Sequence, residues 1–228
     1  MTVESTLAAA LERRPPPLGG FTVTIVRLEV RRLLRNRRTL ILALIMPVIF
    51  FLSFGLNTSY ATDKVGHGNE SAFVMISMAL YGAVYATASG GAMVSIERMS
   101  GWSRQLRVTP LSPVAYIVIK MLTALVLGAG AVGAVYTVGL LTQKASMPAY
   151  LWVTTALCVW IGSLVFAALG LFFGYLLPSE NILQIIGVTL ILCSFLGGLF
   201  VPLKQFPSAL QQLAPYTPLY GPLCVNLM

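Results

Sequence analysis

The sequence predicts an all-α integral membrane protein, and three observations carry that reading. Five uncharged runs are each long enough to cross a bilayer, the charged residues lie between those runs, and the positive charge falls on alternate connections. Of the 228 residues, 57% are hydrophobic and 10% charged. A soluble domain carries about 25% charged residues, so much of this surface must face lipid.

A helix crossing the hydrocarbon core needs about 20 apolar residues at about 1.5 Å each. The runs 39–62, 71–96, 121–143, 145–179 and 181–203 meet that length. The third extends back to Pro113, which leaves Lys120 near its inner end. The fourth exceeds what a span requires, which predicts a loop or a tilt within it. A sixth run opens at Tyr220 and reaches Met228. Small residues four apart, Gly170 with Gly174 and Gly130 with Ala134, predict places where helix backbones approach closely in lipid.

Ahead of the first run, residues 21–38 are too charged to span. At about 100° per residue, Arg27, Arg31, Arg35 and Arg38 share one face, and Val23, Val26, Val30, Leu33 and Leu34 cluster on another. That predicts an amphipathic helix lying along the cytoplasmic membrane surface and leading into the first span. Because spans follow at once, anionic lipid headgroups rather than nucleic acid are the expected partner of these arginines. Residues 1–20, with Pro15-Pro16-Pro17, are expected to form a mobile cytoplasmic tail, and the first span to serve as an uncleaved anchor.

Charge predicts the orientation. With the amino terminus cytoplasmic, the inner segments hold Arg13, Arg14, Arg27, Arg31, Arg32, Arg35, Arg37, Arg38, Arg98, Arg104, Arg107 and Lys120. The outer segments hold only Lys64, Lys144 and Lys204. Inner loops rich in Lys and Arg are the general rule, so the expected location is the inner (plasma) membrane.

What the runs lack narrows the function. They contain no Asp, Glu, Lys, Arg or His, the usual marks of a proton relay or ion pathway. Paired acids or a His cluster for an intramembrane protease are missing too. Cys158, Cys193 and Cys224 are far apart, without metal-ligand spacing, and His67 stands alone in a Gly-rich loop, so no metal site and no catalytic residue are expected. There is no GxxxxGK[ST] phosphate loop. Energy for any transport must come from another chain.

The stretch between the second and third runs reads Glu97-Arg-Met-Ser-Gly101-Trp-Ser-Arg-Gln-Leu106-Arg-Val-Thr-Pro-Leu111-Ser-Pro, with Tyr116 and Lys120 beyond it. Near the end come Gly197-Gly-Leu-Phe-Val-Pro202-Leu, Phe206-Pro207 and Pro215-Tyr-Thr-Pro218-Leu. Together these resemble the ABC type-2 transporter permeases, the membrane-spanning subunits of bacterial drug, antibiotic and polysaccharide exporters, over about residues 21–223. The resemblance implies a six-span permease bundle after the amphipathic helix, with the sixth span truncated in this sequence. It implies a coupling segment at 97–113 that docks on a separate ABC ATPase, which would bind ATP and Mg. It also implies pairing with a second permease, as a homo- or heterodimer.

In that reading Glu97 sits near a helix start, and Arg98, Arg104 and Arg107 offer charge-directed contacts. Gly101 permits close approach or a bend, Trp102 and Leu106 are apolar anchors, Thr109 belongs to the motif block, and Pro110 and Pro113 stop the segment before the next span. The proline-rich stretch 197–219, with Pro202, Phe206, Pro207, Pro215 and Pro218, is expected to dip back at the outer surface as a gate. Phe54, Tyr81, Tyr85, Tyr136, Phe172 and Tyr175 are candidates for an apolar, aromatic substrate path. A hydrophobic drug or antibiotic is the expected cargo, with a lipid-linked polysaccharide or other lipid as the rival. Outside transport, the alternative is a membrane assembly protein whose loop binds some other cytoplasmic partner.

Overall fold

Where the chain is apolar and uninterrupted it coils into helices, because a backbone facing lipid must satisfy its own hydrogen bonds. The computed structural model describes residues 17–56, 64–65, 67–101, 111–200, 207 and 219. Helix α1 (Val23–Leu34) precedes α2 (Arg37–Gly55). A two-residue hairpin, β1 (Lys64–Val65) against β2 (Gly68–Asn69), leads into α3 (Glu70–Met99). Then come α4 (Pro113–Thr142), α5 (Ala149–Leu176) and α6 (Ile182–Leu196). Helices α2 to α5 are each long and apolar enough to cross a membrane. The chain is an all-α, multi-pass membrane protein.

The ends of the bundle are distinct. Arg37, Met99, Pro113, Leu176 and Ile182 stand at one end, called here the basic end, and the hairpin marks the other. Helix α3 is the hub, almost wholly buried among its neighbours. Its sequence allows this because it is rich in Ala, Gly and Ser, so other helices come close. A Cβ on Gly170 of α5 would collide with the backbone of Ala88, and one on Gly91 of α3 would collide with that of Ala167. Gly174 lies against Ala92. The small pair Gly170 and Gly174 therefore does form a helix contact. Gly130 does not: it faces outward with nothing within 4 Å of where a Cβ would stand.

Three further differences from the sequence reading have local causes. Within α2, stretches of π-helix at Ile41–Ile45 and Phe51–Gly55 flank Pro47, which has no N–H to give the preceding turn. Helix α6 has 15 residues rather than a complete span. It stops because Gly198 takes a φ of 80°, and Gly198 N–H and Leu199 N–H bond back to the carbonyls of Phe195 and Ser194 at 3.1 and 3.0 Å. That pattern closes a helix with a left-handed residue. Finally, Pro17–Gly20, expected as tail, is a 3-10 turn whose Gly19 carbonyl accepts the Ser112 N–H at 2.8 Å, at the start of α4. The sixth run, at 220–228, lies outside the described residues.

Candidate functional site

At the basic end three helices meet around charge. Helix α3 runs on through Met99, so Glu97 lies in the last turn of a helix and not near the start of one. A carboxylate there opposes the helix dipole, and its side chain is only 2% exposed. It is held by cations and a hydroxyl. Lys120 of α4, itself 3% exposed, bonds Glu97 Oε1 and also Glu29 of α1. Arg32 of α1 donates to the same Oε1 at 2.8 Å and stands 3.6 Å from Glu29. Tyr116 Oη donates to Glu97 Oε2. The Lys120 ammonium also lies 5.5 Å from the Tyr116 ring centroid. Two acids against two bases leave the cluster neutral. A lone charge so deep would cost several kcal/mol, and mutual pairing with extra hydrogen bonds is the arrangement that offsets this.

The same end of α3 clamps α5. Ser95 Oγ donates to the Leu177 carbonyl at 2.6 Å and accepts the Ser179 N–H at 3.0 Å. Arg98 donates to the Tyr175 carbonyl, with its guanidinium 5.3 Å from that ring's centroid. Gly101 turns the chain out of α3 with a φ of 77°. Trp102, Arg104, Leu106, Arg107, Thr109 and Pro110 lie outside the described residues. On α1 the arginines sort by face. Arg27, Arg31 and Arg35 are exposed, while Leu33 is buried and Glu29 points inward beside it. Val23 and Leu34, placed by sequence on the apolar face, are exposed as well.

The candidate path residues divide. Tyr81 and Tyr85 are buried on α3, their ring centroids 6.4 Å apart. Tyr81 meets Phe200 edge-on at 5.4 Å, Phe200 meets Phe50 at 5.6 Å, and Phe50 meets Phe54 at 6.1 Å. Phe195 of α6 joins Phe200 at 6.5 Å. One aromatic chain thus links α2, α3 and the end of α6, exposed at Phe54 and Phe195. Tyr136 is elsewhere, bonded to Thr155 at 2.8 Å and edge-on to Trp152. Phe172 faces outward, and Tyr175 belongs to the Arg98 contact. Of the residues expected from sequence to form a gate, Pro207 is exposed, and Pro202, Phe206, Pro215 and Pro218 lie outside the described residues.

At the hairpin end Asn69 does the clamping. Its side chain caps α3 by accepting the Ala72 N–H at 3.0 Å, accepts the Ser146 N–H at 2.9 Å, and donates to the Lys144 carbonyl at 2.7 Å. Lys64, His67 and Lys144 line an open recess of about 600 Å³ beside it, its walls part polar and part apolar. Among the described residues no His, Cys, Asp and Glu cluster could hold a metal ion.

Glu29, Arg32, Tyr116 and Lys120 carry most of the ionic cluster; sequence reasoning used Arg32 and Lys120 for orientation and Tyr116 and Lys120 for the family resemblance, but it paired none of them with Glu97 and left Glu29 without a role. Two signals were there to find. Glu29 is an acid on the apolar face of a basic helix, three residues after Val26 and four before Leu33. Lys120 is a base seven residues inside a helix that is otherwise uncharged.

A family model described as "ABC-2 type transporter" matches residues 21–228. A Bacillus subtilis (strain 168) protein named "Putative transport permease YvfS" is 25% identical over 195 residues, covering 84% of this chain and 78% of that relative. No solved structure matches the chain with significance.

Proposed function

The chain belongs to the ABC-2 type transporter family, and from that premise we propose that it is the membrane-spanning half of an ATP-driven exporter. The observation that carries this reading is the knitted basic end. There Glu97, Ser95 and Arg98 join α3 to α1, α4 and α5, so that a partner acting on the chain leaving α3 at Gly101 would move several helices together. That partner is a separate ABC ATPase, which supplies ATP and Mg. The coupling segment is 97–113, with Glu97 as its buried root and Arg98, Gly101, Trp102, Arg104, Leu106, Arg107, Thr109 and Pro110 in or near the contact. The basic end is cytoplasmic, the membrane is the plasma membrane, and a second permease completes the transporter.

The aromatic chain from Phe54 to Tyr85 favours a hydrophobic drug or antibiotic as cargo, since flat apolar molecules stack on such faces. A second reading has its own support. The recess with Lys64, His67 and Lys144 at the far end suits the phosphate of a lipid-linked saccharide.

The test is reconstitution of the chain with the ATPase that co-purifies with it. ATP-dependent movement of a hydrophobic dye is expected, lowered by Tyr81→Ala and Tyr85→Ala at equal insertion. Movement of lipid-linked saccharide but not of dye would select the rival cargo. No ATP-dependent movement of either would remove the exporter reading.

A further inference from the structure

We infer that Lys120 is a positioning residue for coupling: by bridging Glu97 on α3 to Glu29 on α1 it makes the lead-in helix and the root of the coupling segment one mechanical body. Three facts point there. Lys120 lies seven residues inside α4, about 10 Å from its start, where a lysine would ordinarily stretch toward water. Instead it is 3% exposed and shared between two carboxylates from different helices. Those carboxylates are 68 residues apart in sequence and, among the described residues, share no other base except Arg32, which is 43% exposed on its own helix. Packing alone does not tie α1 as firmly, since Val23, Leu28 and Leu34 face outward.

Ionisable groups placed this deep in a membrane protein mark function more often than stability, and a buried pair is weak evidence for stability. The bridge also has a direction. Glu97 is two residues before the end of α3 and four before the turn at Gly101, so motion of the coupling segment that reaches Glu97 acts directly on Lys120, together with Arg32 and Tyr116. From Lys120 it passes to α4 along one helix and to α1 through Glu29. Given an ATPase at this end, as proposed above, α1 and the coupling segment would respond to it as a unit, with no direct grip on α1 required.

The test uses the complete permease–ATPase complex in lipid vesicles, with Glu29→Gln, Lys120→Met and Lys120→Arg. Two quantities are read at matched insertion: substrate moved per ATP hydrolysed, and hydrogen exchange of the α1 amides. Glu29→Gln and Lys120→Met should lower substrate per ATP about fivefold or more, the lower range of measured coupling between sites, and speed exchange in α1. Lys120→Arg, which keeps the base, should preserve most of both. Should Lys120→Met fail to insert, Glu29→Gln carries the test, since that side chain is at the cluster's edge. Normal substrate per ATP in Glu29→Gln overturns the inference whatever the exchange shows, because the bridge would then only hold the fold. Lowered transport with unchanged α1 exchange overturns it too, because α1 would not be what the bridge holds. Absence of ATP-driven transport in the unaltered complex is a separate result, against the exporter reading.

Discussion

Glu97 illustrates how a residue that a sequence motif singles out can be misread in its setting. Its charge invites an exposed position, yet its carboxylate is enclosed by Lys120, Arg32 and Tyr116. Removing its charge should therefore damage the fold before it damages a surface. Glu97→Gln should destabilise the protein by about 3 kcal/mol, since it leaves Lys120 with one carboxylate where it had two. Adding Lys120→Met should recover much of that, because Glu29 and Arg32 then remain as a balanced pair. Thermal unfolding of the purified single and double variants reads the coupling as a double-mutant cycle, and simple addition of the two effects would contradict the network. At the opposite end, Asn69→Ala should cost about 2 kcal/mol, for it removes a helix cap and two links to the loop before α5. Asn69→Asp keeps the acceptor for Ala72 and Ser146 but sets a second acceptor oxygen against the Lys144 carbonyl, so it should also lose stability while retaining the cap.

Among the helices, contact is decided by where a small residue finds another backbone. Gly170 and Gly130 look alike in sequence, each four residues before another small residue. The structure places Gly170 against Ala88 and leaves Gly130 facing outward. Gly170→Leu should prevent α5 from seating on α3, a loss of more than about 3 kcal/mol, because overpacking where backbones touch cannot be relieved by a rotamer change. Gly130→Leu should not destabilise the separated chain and should stabilise it by up to about 1 kcal/mol, because the position faces outward in a helix interior where glycine is the poorer helix former. Insertion level and melting temperature of the two variants, measured side by side, check both statements. Helix positions themselves were largely legible: the apolar runs 71–96 and 145–179 became α3 and α5 with ends shifted by a few residues. The length of α6 was not, because hydropathy continues past Gly198 while the backbone turns there.

For the whole molecule, the distribution of charge predicts a single orientation, with Lys64 and Lys144 outside and the arginines of α1 inside. In a background lacking Cys158, Cys193 and Cys224, Lys144→Cys should react with an impermeant reagent applied to intact cells, and Arg31→Cys should react only after the membrane is opened. Both positions are exposed, so the contrast reads sidedness and not burial. Labelling of Arg31→Cys in intact cells would reverse the orientation and place the proposed coupling segment on the wrong side for an ATPase.

By itself the sequence determined that the chain crosses a membrane, where the four span-length helices lie, and which stretch belongs to a transporter family, because hydropathy, charge and motif spacing are properties of short windows. The partners of Glu97, the enclosure of α3, the aromatic chain through Phe50, Tyr81 and Phe200, and the separation of Tyr136 from it were decided by the tertiary structure. Each depends on which faces of distant helices meet. Several helical faces in this chain are apolar enough to face either lipid or protein, so hydrophobicity cannot choose between them. The choice falls to close backbone contact at small residues and to the few buried charges that must find one another.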